Sequence, residues 1–106
     1  MAPANLKDDA DKLPMNLIPP EAFRYLAKVL AAGAAKYAPR GWEQGGLDYD
    51  RLIAGVLRHI TAASGGDWYD LETDTPHLAN AMCGLMFILT LATRGLLERP
   101  VEPKHG

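Results

Sequence analysis

The sequence has one cysteine, almost no net charge and no apolar run that could cross a bilayer. Because Cys83 has no second cysteine to pair with, no disulfide can form within the chain, and we expect it to be a small buried hydrophobe. The formal net charge of -2 offers no general attraction to a nucleic-acid polymer or an anionic membrane. The longest apolar run covers residues 81–92, whereas a membrane span needs about 20 residues. These absences predict a soluble cytoplasmic protein and leave a small anionic ligand open.

Familiar catalytic signatures are missing as well. The sequence contains no Walker loop and no dinucleotide-binding fingerprint, and its acidic segment does not match a calcium-binding EF-hand loop. Ser64, the only serine, has no triad context, and Cys83 falls inside a predicted helix, so catalysis by a protein nucleophile is not expected. Metal-assisted hydrolysis remains the reaction class that the other residues favour.

The spacing of the apolar residues predicts three helices and no strand. The first is expected over about residues 20–38, the second over about 48–64 and the third over about 76–93, with Thr75 as the N-cap of the third. The fold class is therefore predicted to be all-α.

The third helix is apolar nearly all round, and such a helix requires burial on all sides. Two partner helices in a small chain would leave part of it in water. We therefore expect three main helices in a bundle completed by homo-oligomerisation, with Met82, Leu85 and Ile88 near the interface. The alternative is a short extra helix over residues 95–99 that covers this surface.

Carboxylates recur in the segment just before the third helix. Oxygen ligands at alternating positions suit a hard cation, and this acidic loop runs directly into His77. We expect Mg²⁺, or another divalent cation, to be held by Asp67, Asp70, Glu72 and His77. The alternative is an acidic loop that is merely solvated.

Two histidines and an asparagine mark the faces of the second and third helices. His59 lies at the edge of the apolar stripe of the second helix, and His77 and Asn80 share a face of the third. Small residues at Ala81 and Gly84 continue that face and leave room for a ligand or for another helix. The alternatives are a core His59 bonded to a backbone carbonyl and a His77 exposed to water in the first helical turn.

Cations and aromatic residues gather where the first helix ends. The guanidinium of Arg40 can hold phosphate oxygens through two hydrogen bonds, and Lys36 adds a positive charge. Tyr37 or Trp42 can stack on a base. We interpret this segment as the mouth of a nucleotide site. The alternative is an ordinary helix end, because cations there are favoured by the helix dipole.

Residues 15–94 resemble the small phage proteins of the dATP/dGTP diphosphohydrolase N-terminal domain family. The resemblance rests on a Pro-Pro-Glu helix start, a Gly-x-x-Lys-Tyr turn followed by Trp, an Arg-His pair, a Gly-x-Asp loop and a His-Leu-x-x-Ala helix. It implies an all-α oligomer that cleaves a purine deoxynucleoside triphosphate to monophosphate and pyrophosphate with magnesium. The expected catalytic residues are His59, His77 and Glu72. The expected substrate-binding residues are Lys36, Tyr37, Arg40, Trp42, Arg58 and Asn80.

Related helical pyrophosphohydrolases mark their metal site with Glu-Glu-x-x-Glu and Glu-x-x-Asp, and neither motif occurs here. A non-catalytic protein that sequesters a nucleotide, such as a host defence signal, therefore stays open, as does a purely structural helical module. If the chain is phage-encoded, the host cytoplasm is its expected location. The domain prediction has three parts: a flexible arm over residues 1–14, a single helical nucleotide-binding domain over 15–97 and a disordered tail over 98–106.

Overall fold

Three helices dominate the structure, a computed structural model that describes residues 12–35 and 38–98. They are α1 (Pro20–Ala34), α2 (Tyr49–Ser64) and α3 (His77–Thr93). Two short 3-10 helices, Met15–Leu17 and Gly41–Gln44, precede α1 and α2. The mainly helical prediction is confirmed by these elements, whereas the completed bundle stays a prediction. The predicted arm falls largely on residues 1–11 and the tail on 99–106, which lie outside the described residues.

A two-stranded ladder precedes α3, so the prediction that the chain has no strand is wrong. Strand β1 (Tyr69–Asp70) pairs antiparallel with β2 (Thr75–Pro76). Asp74 closes the turn between them with a φ of 60°, a left-handed conformation that Asp tolerates better than most residues. Thr75 therefore lies in a strand, and Pro76 takes the N-cap position directly before the helix. The predictions that Thr75 is the N-cap and Pro76 the first helical residue are wrong.

The helix boundaries follow local signals, with one clear difference. Pro20 stands at the start of α1, and the side chain of Asp48 caps α2 by accepting a hydrogen bond from the Arg51 N–H at 3.1 Å. The helix α1 ends at Ala34, four residues before its predicted end, and Ala38 is already outside it. The prolines and glycines from residue 39 onward therefore form a separate turn and do not cap the helix directly.

The closest packing joins α2 to α3. A Cβ placed on Gly84 would lie only 2.6 Å from Cγ2 of Val56, so only glycine allows this approach. Val56 and Cys83 are buried beside it, which confirms the expectation that the lone cysteine is buried. At Gly84, therefore, the small residue on α3 makes room for a neighbouring helix.

The helix α3 is only partly covered within one chain. Leu78, Leu85 and Leu89 recur at helical spacing and remain 41%, 47% and 70% exposed. The expected burial on all sides is therefore not reached by the described residues alone, and homo-oligomerisation stays a prediction.

The chain after α3 returns to α2 without forming a further helix up to residue 98. Glu98 and Asp48 form an isolated parallel bridge, and the backbone N–H of Tyr49 donates to the carbonyl of Glu98 at 2.7 Å. The alternative of a covering helix over residues 95–99 is therefore wrong for the described part. No helix in residues 12–35 and 38–98 is long and apolar enough to span a membrane.

Candidate functional site

A cavity of about 810 Å³ lies where α1, α2, α3 and the turn between β1 and β2 meet. Ligand pockets commonly measure about 300–1,000 Å³, so this cavity is large enough for a nucleotide. Aromatic, basic, imidazole, carboxylate and amide groups share its wall with small aliphatic residues. The polar and aromatic residues of this wall include Trp42, Arg58, His59, Asp70, Glu72, Asn80 and Phe87.

His59, in the cavity wall, meets a second histidine, His77, which is not one of the lining residues. Nδ1 of His59, on α2, lies 2.9 Å from Nδ1 of His77, the first residue of α3. Asp70, on β1, completes the group, because one ligand atom from each of the three residues lies within 4.8 Å of the others. In the described part of the chain this is the set of side chains that could hold a metal ion. Asp70 and His77 of this group belong to the predicted metal set, and His59 is an additional member.

Asp67 lies behind His77, on the other side of its ring. Nε2 of His77 is 3.3 Å from Oδ2 of Asp67, whose side chain is 71% exposed. A carboxylate oxygen only accepts hydrogen bonds, so Nε2 of His77 is the donor in this contact and, in the neutral tautomer, Nδ1 keeps its lone pair. The short distance between the two Nδ1 atoms then requires His59 to donate from Nδ1. The expected alternative of a water-exposed His77 is wrong, since its side chain is only 13% exposed.

The electrostatic surroundings of His59 favour the neutral form of its ring. Burial lowers the pKa of His59, the neighbouring His77 and Arg58 lower it further, and only Asp70 opposes them. A neutral imidazole can present a lone pair to a cation. Burial raises the pKa of the Cys83 thiol to about 11, so this cysteine stays protonated, although it lines the same cavity.

Asn80 fixes the turn against α3. Its Nδ2 donates to Oγ1 of Thr75 at 2.8 Å, to the carbonyl of Pro76 at 3.1 Å and to Oγ1 of Thr73 at 3.3 Å. Thr75 is only 1% exposed, so these bonds satisfy a buried hydroxyl. The amide nitrogen is therefore committed to shaping the pocket, and the substrate-binding role of Asn80 stays a prediction.

Glu72 lies in the turn between the strands and lines the cavity without joining the His59–Asp70–His77 group. Its backbone N–H donates to Oδ1 of Asp70 at 2.9 Å, which orients the Asp70 carboxylate. The predicted metal and catalytic roles of Glu72 are untested by this geometry.

Trp42 reaches the pocket from the 3-10 helix Gly41–Gln44 and stacks on Phe87. Their ring centroids are 4.3 Å apart and their planes meet at 27°. The sequence analysis missed Phe87. Its place at the site could have been predicted, because Phe87 lies seven residues after Asn80 and therefore on the same face of α3.

The basic residues of the predicted mouth separate in the structure. Arg40 binds Glu43 through Nε at 2.5 Å and Nη2 at 3.0 Å, and its side chain is 79% exposed outside the cavity wall. Arg94 donates to the same carboxylate at 2.8 Å, and hydrogen bonds from both arginines lower the pKa of Glu43 to about 2. Lys36 and Tyr37 lie outside the described residues.

Arg58 is the basic side chain that lines the cavity in the part of the chain that the structure describes. It belongs to α2, next to His59 in sequence, and its side chain is exposed. A guanidinium here can bind a phosphate that lies beside the two histidines. Arg58 therefore lines the cavity, whereas Arg40, for which the same role is predicted, does not.

The fold and the site define a small helical protein with a ligand-sized pocket and a histidine–carboxylate cluster beside it. A family model described as dATP/dGTP diphosphohydrolase, N-terminal, matches residues 2–99. A dATP/dGTP diphosphohydrolase of Salmonella phage PMBT28 is 40% identical to the chain over 86 residues. The chain therefore belongs to the dATP/dGTP diphosphohydrolase N-terminal family, and the resemblance stated from its motifs is confirmed.

The matched segment covers 81% of this chain but 29% of the phage protein. The chain thus spans less than a third of that relative's length. No solved structure matches the chain.

Proposed function

We propose that the chain binds a purine deoxynucleoside triphosphate in this cavity and, with a divalent cation, cleaves it to the monophosphate and pyrophosphate. The observation that carries the proposal is the convergence in one 810 Å³ cavity of an aromatic pair, a guanidinium and two members of the histidine–carboxylate cluster, His59 and Asp70. A nucleotide presents a flat base, negative phosphates and phosphate-bound metal, and each group of the cavity complements one of these. Membership of the family supports this substrate class.

The cavity suggests an orientation for the ligand. The base stacks beside Trp42 and Phe87, and the phosphates extend toward Arg58 on α2. His59, Asp70 and His77 then lie beside the phosphates and can hold the cation, because two imidazole nitrogens and a carboxylate are good donors for a divalent ion. Magnesium is the ion that the sequence predicts.

Hydrolysis in this arrangement is a single displacement at phosphorus. A water oxygen bonds to the α-phosphorus, the bond from that phosphorus to the bridging oxygen breaks, and pyrophosphate leaves. The carboxylate of Glu72, in the cavity wall, accepts the water proton. The bound cation would neutralise phosphate charge and make the water more acidic. Arg58 stabilises the negative charge that remains on the phosphate oxygens.

Incubation of the pure chain with each deoxynucleoside triphosphate, in separate samples with Mg²⁺, Mn²⁺ or Zn²⁺, tests the proposal. Anion-exchange chromatography should show dAMP or dGMP and pyrophosphate. Glu72→Gln should lose most of this activity and keep nucleotide binding and the melting temperature. Full activity in Glu72→Gln would contradict its role as the base.

A second function is favoured by the stacked Trp42 and Phe87, since an aromatic wall retains a base without any chemistry. In that case the chain sequesters a purine nucleotide. The same chromatography separates the two, because a sequestering protein returns the nucleotide intact after it is denatured.

The active form is proposed to be a homo-oligomer. Leu78, Leu85 and Leu89 leave one face of α3 exposed, and a second copy of the chain could cover it. The host cytoplasm remains the predicted location.

A further inference from the structure

Three elements bring one ligand each to a single point beside the cavity, which His59 and Asp70 line and His77 does not. His59 comes from α2, Asp70 from β1 and His77 from the start of α3. The packing of Gly84 on Val56 fixes α2 against α3, and the hydrogen bonds of Asn80 fix the turn against α3. The three ligands are therefore held by the fold itself, as a preformed metal site requires.

We infer that His59, Asp70 and His77 form a binding site for a first-row transition-metal ion of the Zn²⁺ type, in preference to Mg²⁺. This inference names the ion of the proposed catalytic site, but it rests on the side chains alone and holds whether or not a nucleotide is hydrolysed.

The distance between the histidines supports it. The two Nδ1 atoms face each other at 2.9 Å. Two nitrogens that each lie about 2.0–2.1 Å from a tetrahedral zinc ion are about 3.3 Å apart. If the hydrogen of His59 moves from Nδ1 to Nε2, a shift of a few tenths of an ångström would therefore let one ion replace the hydrogen bond and bind both Nδ1 lone pairs.

The chemistry of the donors selects the ion. Imidazole nitrogen suits zinc, copper, iron and nickel, whereas magnesium prefers oxygen ligands and retains its water. Two imidazoles with one carboxylate, and with an open position toward a cavity, form the ligand set that catalytic zinc sites use. A set made of carboxylates alone would favour magnesium, but two of these three ligands are imidazoles.

Asp67 acts as a positioning residue for this site. Its Oδ2 lies 3.3 Å from Nε2 of His77, which keeps the hydrogen on Nε2 and turns the Nδ1 lone pair toward His59 and Asp70. Carboxylates behind a ligating histidine commonly change metal affinity by about 10–100-fold. Because Asp67 is largely exposed, its effect on metal affinity should lie near the lower end of this range, at about tenfold.

Titration calorimetry of the chelator-treated full chain with ZnCl₂ and with MgCl₂, without nucleotide, tests the inference. We expect one Zn²⁺ per chain, bound at least about 100-fold more tightly than Mg²⁺. Asp70→Asn and His77→Gln should each weaken Zn²⁺ binding by more than about 100-fold, and Asp67→Asn by about tenfold. Co²⁺ added to the parent should give visible absorption bands that the two ligand variants lose.

Asp74→Asn is the matched control, because it removes the same charge from the same turn at a residue outside the ligand group. It should bind Zn²⁺ as tightly as the parent. Circular dichroism should show the helical content of the parent in every variant used. Equal affinity for Zn²⁺ and Mg²⁺, parent-like Zn²⁺ affinity in Asp70→Asn, or equal losses in Asp70→Asn and Asp74→Asn would each overturn the inference.

This test is independent of the proposed reaction. Tight Zn²⁺ binding by a chain that leaves nucleotides intact would support the metal site and contradict hydrolysis. Hydrolysis that is unaffected in Asp70→Asn, with no Zn²⁺ binding, would overturn the metal site and retain the proposed function.

Discussion

Nδ1 of His59 lies 2.9 Å from Nδ1 of His77, although 18 positions separate these residues in the chain. The segment between the two residues contains the short antiparallel ladder of β1 and β2, which leads directly into His77. The contact places two imidazole rings beside Asp70, and His59 and Asp70 line a cavity large enough for a nucleotide.

Gly84→Ala should lower the free energy of unfolding by about 1–3 kcal/mol, the usual cost of overpacking a well-packed core. The added Cβ would lie 2.6 Å from Cγ2 of Val56, so α2 and α3 would have to separate. Urea denaturation measures the change. Gly33→Ala is the control, because among the described residues its added Cβ meets no atom within 4 Å outside the backbone of its own helix, and it should raise stability by about 0.5–1 kcal/mol. Equal effects of the two substitutions would contradict the close contact.

Cys83 should react slowly with a thiol reagent in the folded protein. It is 4% exposed, and burial raises the pKa of its thiol from the ordinary value of 9.0 to about 11. At pH 8 the reactive thiolate should therefore be about 100-fold rarer than in the unfolded chain. The rate of disulfide exchange with a coloured reagent, measured with and without urea, checks this. Similar rates in both conditions would show that the thiol is accessible.

Glu43 should stay ionised down to about pH 2, because hydrogen bonds from Arg40 and Arg94 lower the pKa of its carboxyl to that value. A lowered pKa contributes stability that is complete above the unfolded value near 4.5 and is lost as the pH falls toward 2. Carboxyl NMR titration measures the pKa directly. In Arg94→Ala it should rise toward 4.5. An unshifted pKa in the parent would contradict the paired geometry.

Nucleotide binding should depend on Arg58 and Trp42. Arg58→Ala and Trp42→Ala should each weaken dGTP binding by about tenfold or more, the scale of a charge-assisted hydrogen bond or a stacked base. The sequence predicts a similar loss for Arg40→Ala, whereas its bond to Glu43 outside the cavity favours a smaller effect. Trp42→Phe, which keeps a ring against Phe87, is the control for stability. Parent-like calorimetric titrations for both Arg58→Ala and Trp42→Ala would rule out this ligand orientation.

The exposed face of α3 should mediate self-association. Light scattering should show a dimer or a larger assembly, and Leu89→Lys should shift it toward the monomer, since this side chain is 70% exposed on the apolar face. Leu71→Lys is a matched control, because Leu71 is 88% exposed in the turn and does not belong to the apolar face of α3. A parent that is monomeric at micromolar concentration would defeat the prediction.

The helices could be predicted from the sequence because each carries several turns of apolar spacing. The strands β1 and β2 could not, since two residues are too short to show alternation. The acidic segment and both histidines were recognised as chemically important residues. The sequence pattern could not predict which of these residues come together, because the turn geometry decides that Asp70, and not Glu72, joins His59 and His77. The ion pair of Arg40 with Glu43 likewise depends on a 3-10 helix that apolar spacing does not predict.

Phosphorus NMR of dGTP incubated with the pure chain and its divalent cation tests the central claim most directly. The account predicts that the three triphosphate signals are replaced by those of dGMP and pyrophosphate. It also predicts that His77→Gln, folded as the parent is, leaves the triphosphate unchanged. An unchanged triphosphate spectrum with the parent, in the presence of Mg²⁺, Mn²⁺ or Zn²⁺, would contradict hydrolysis in this cavity.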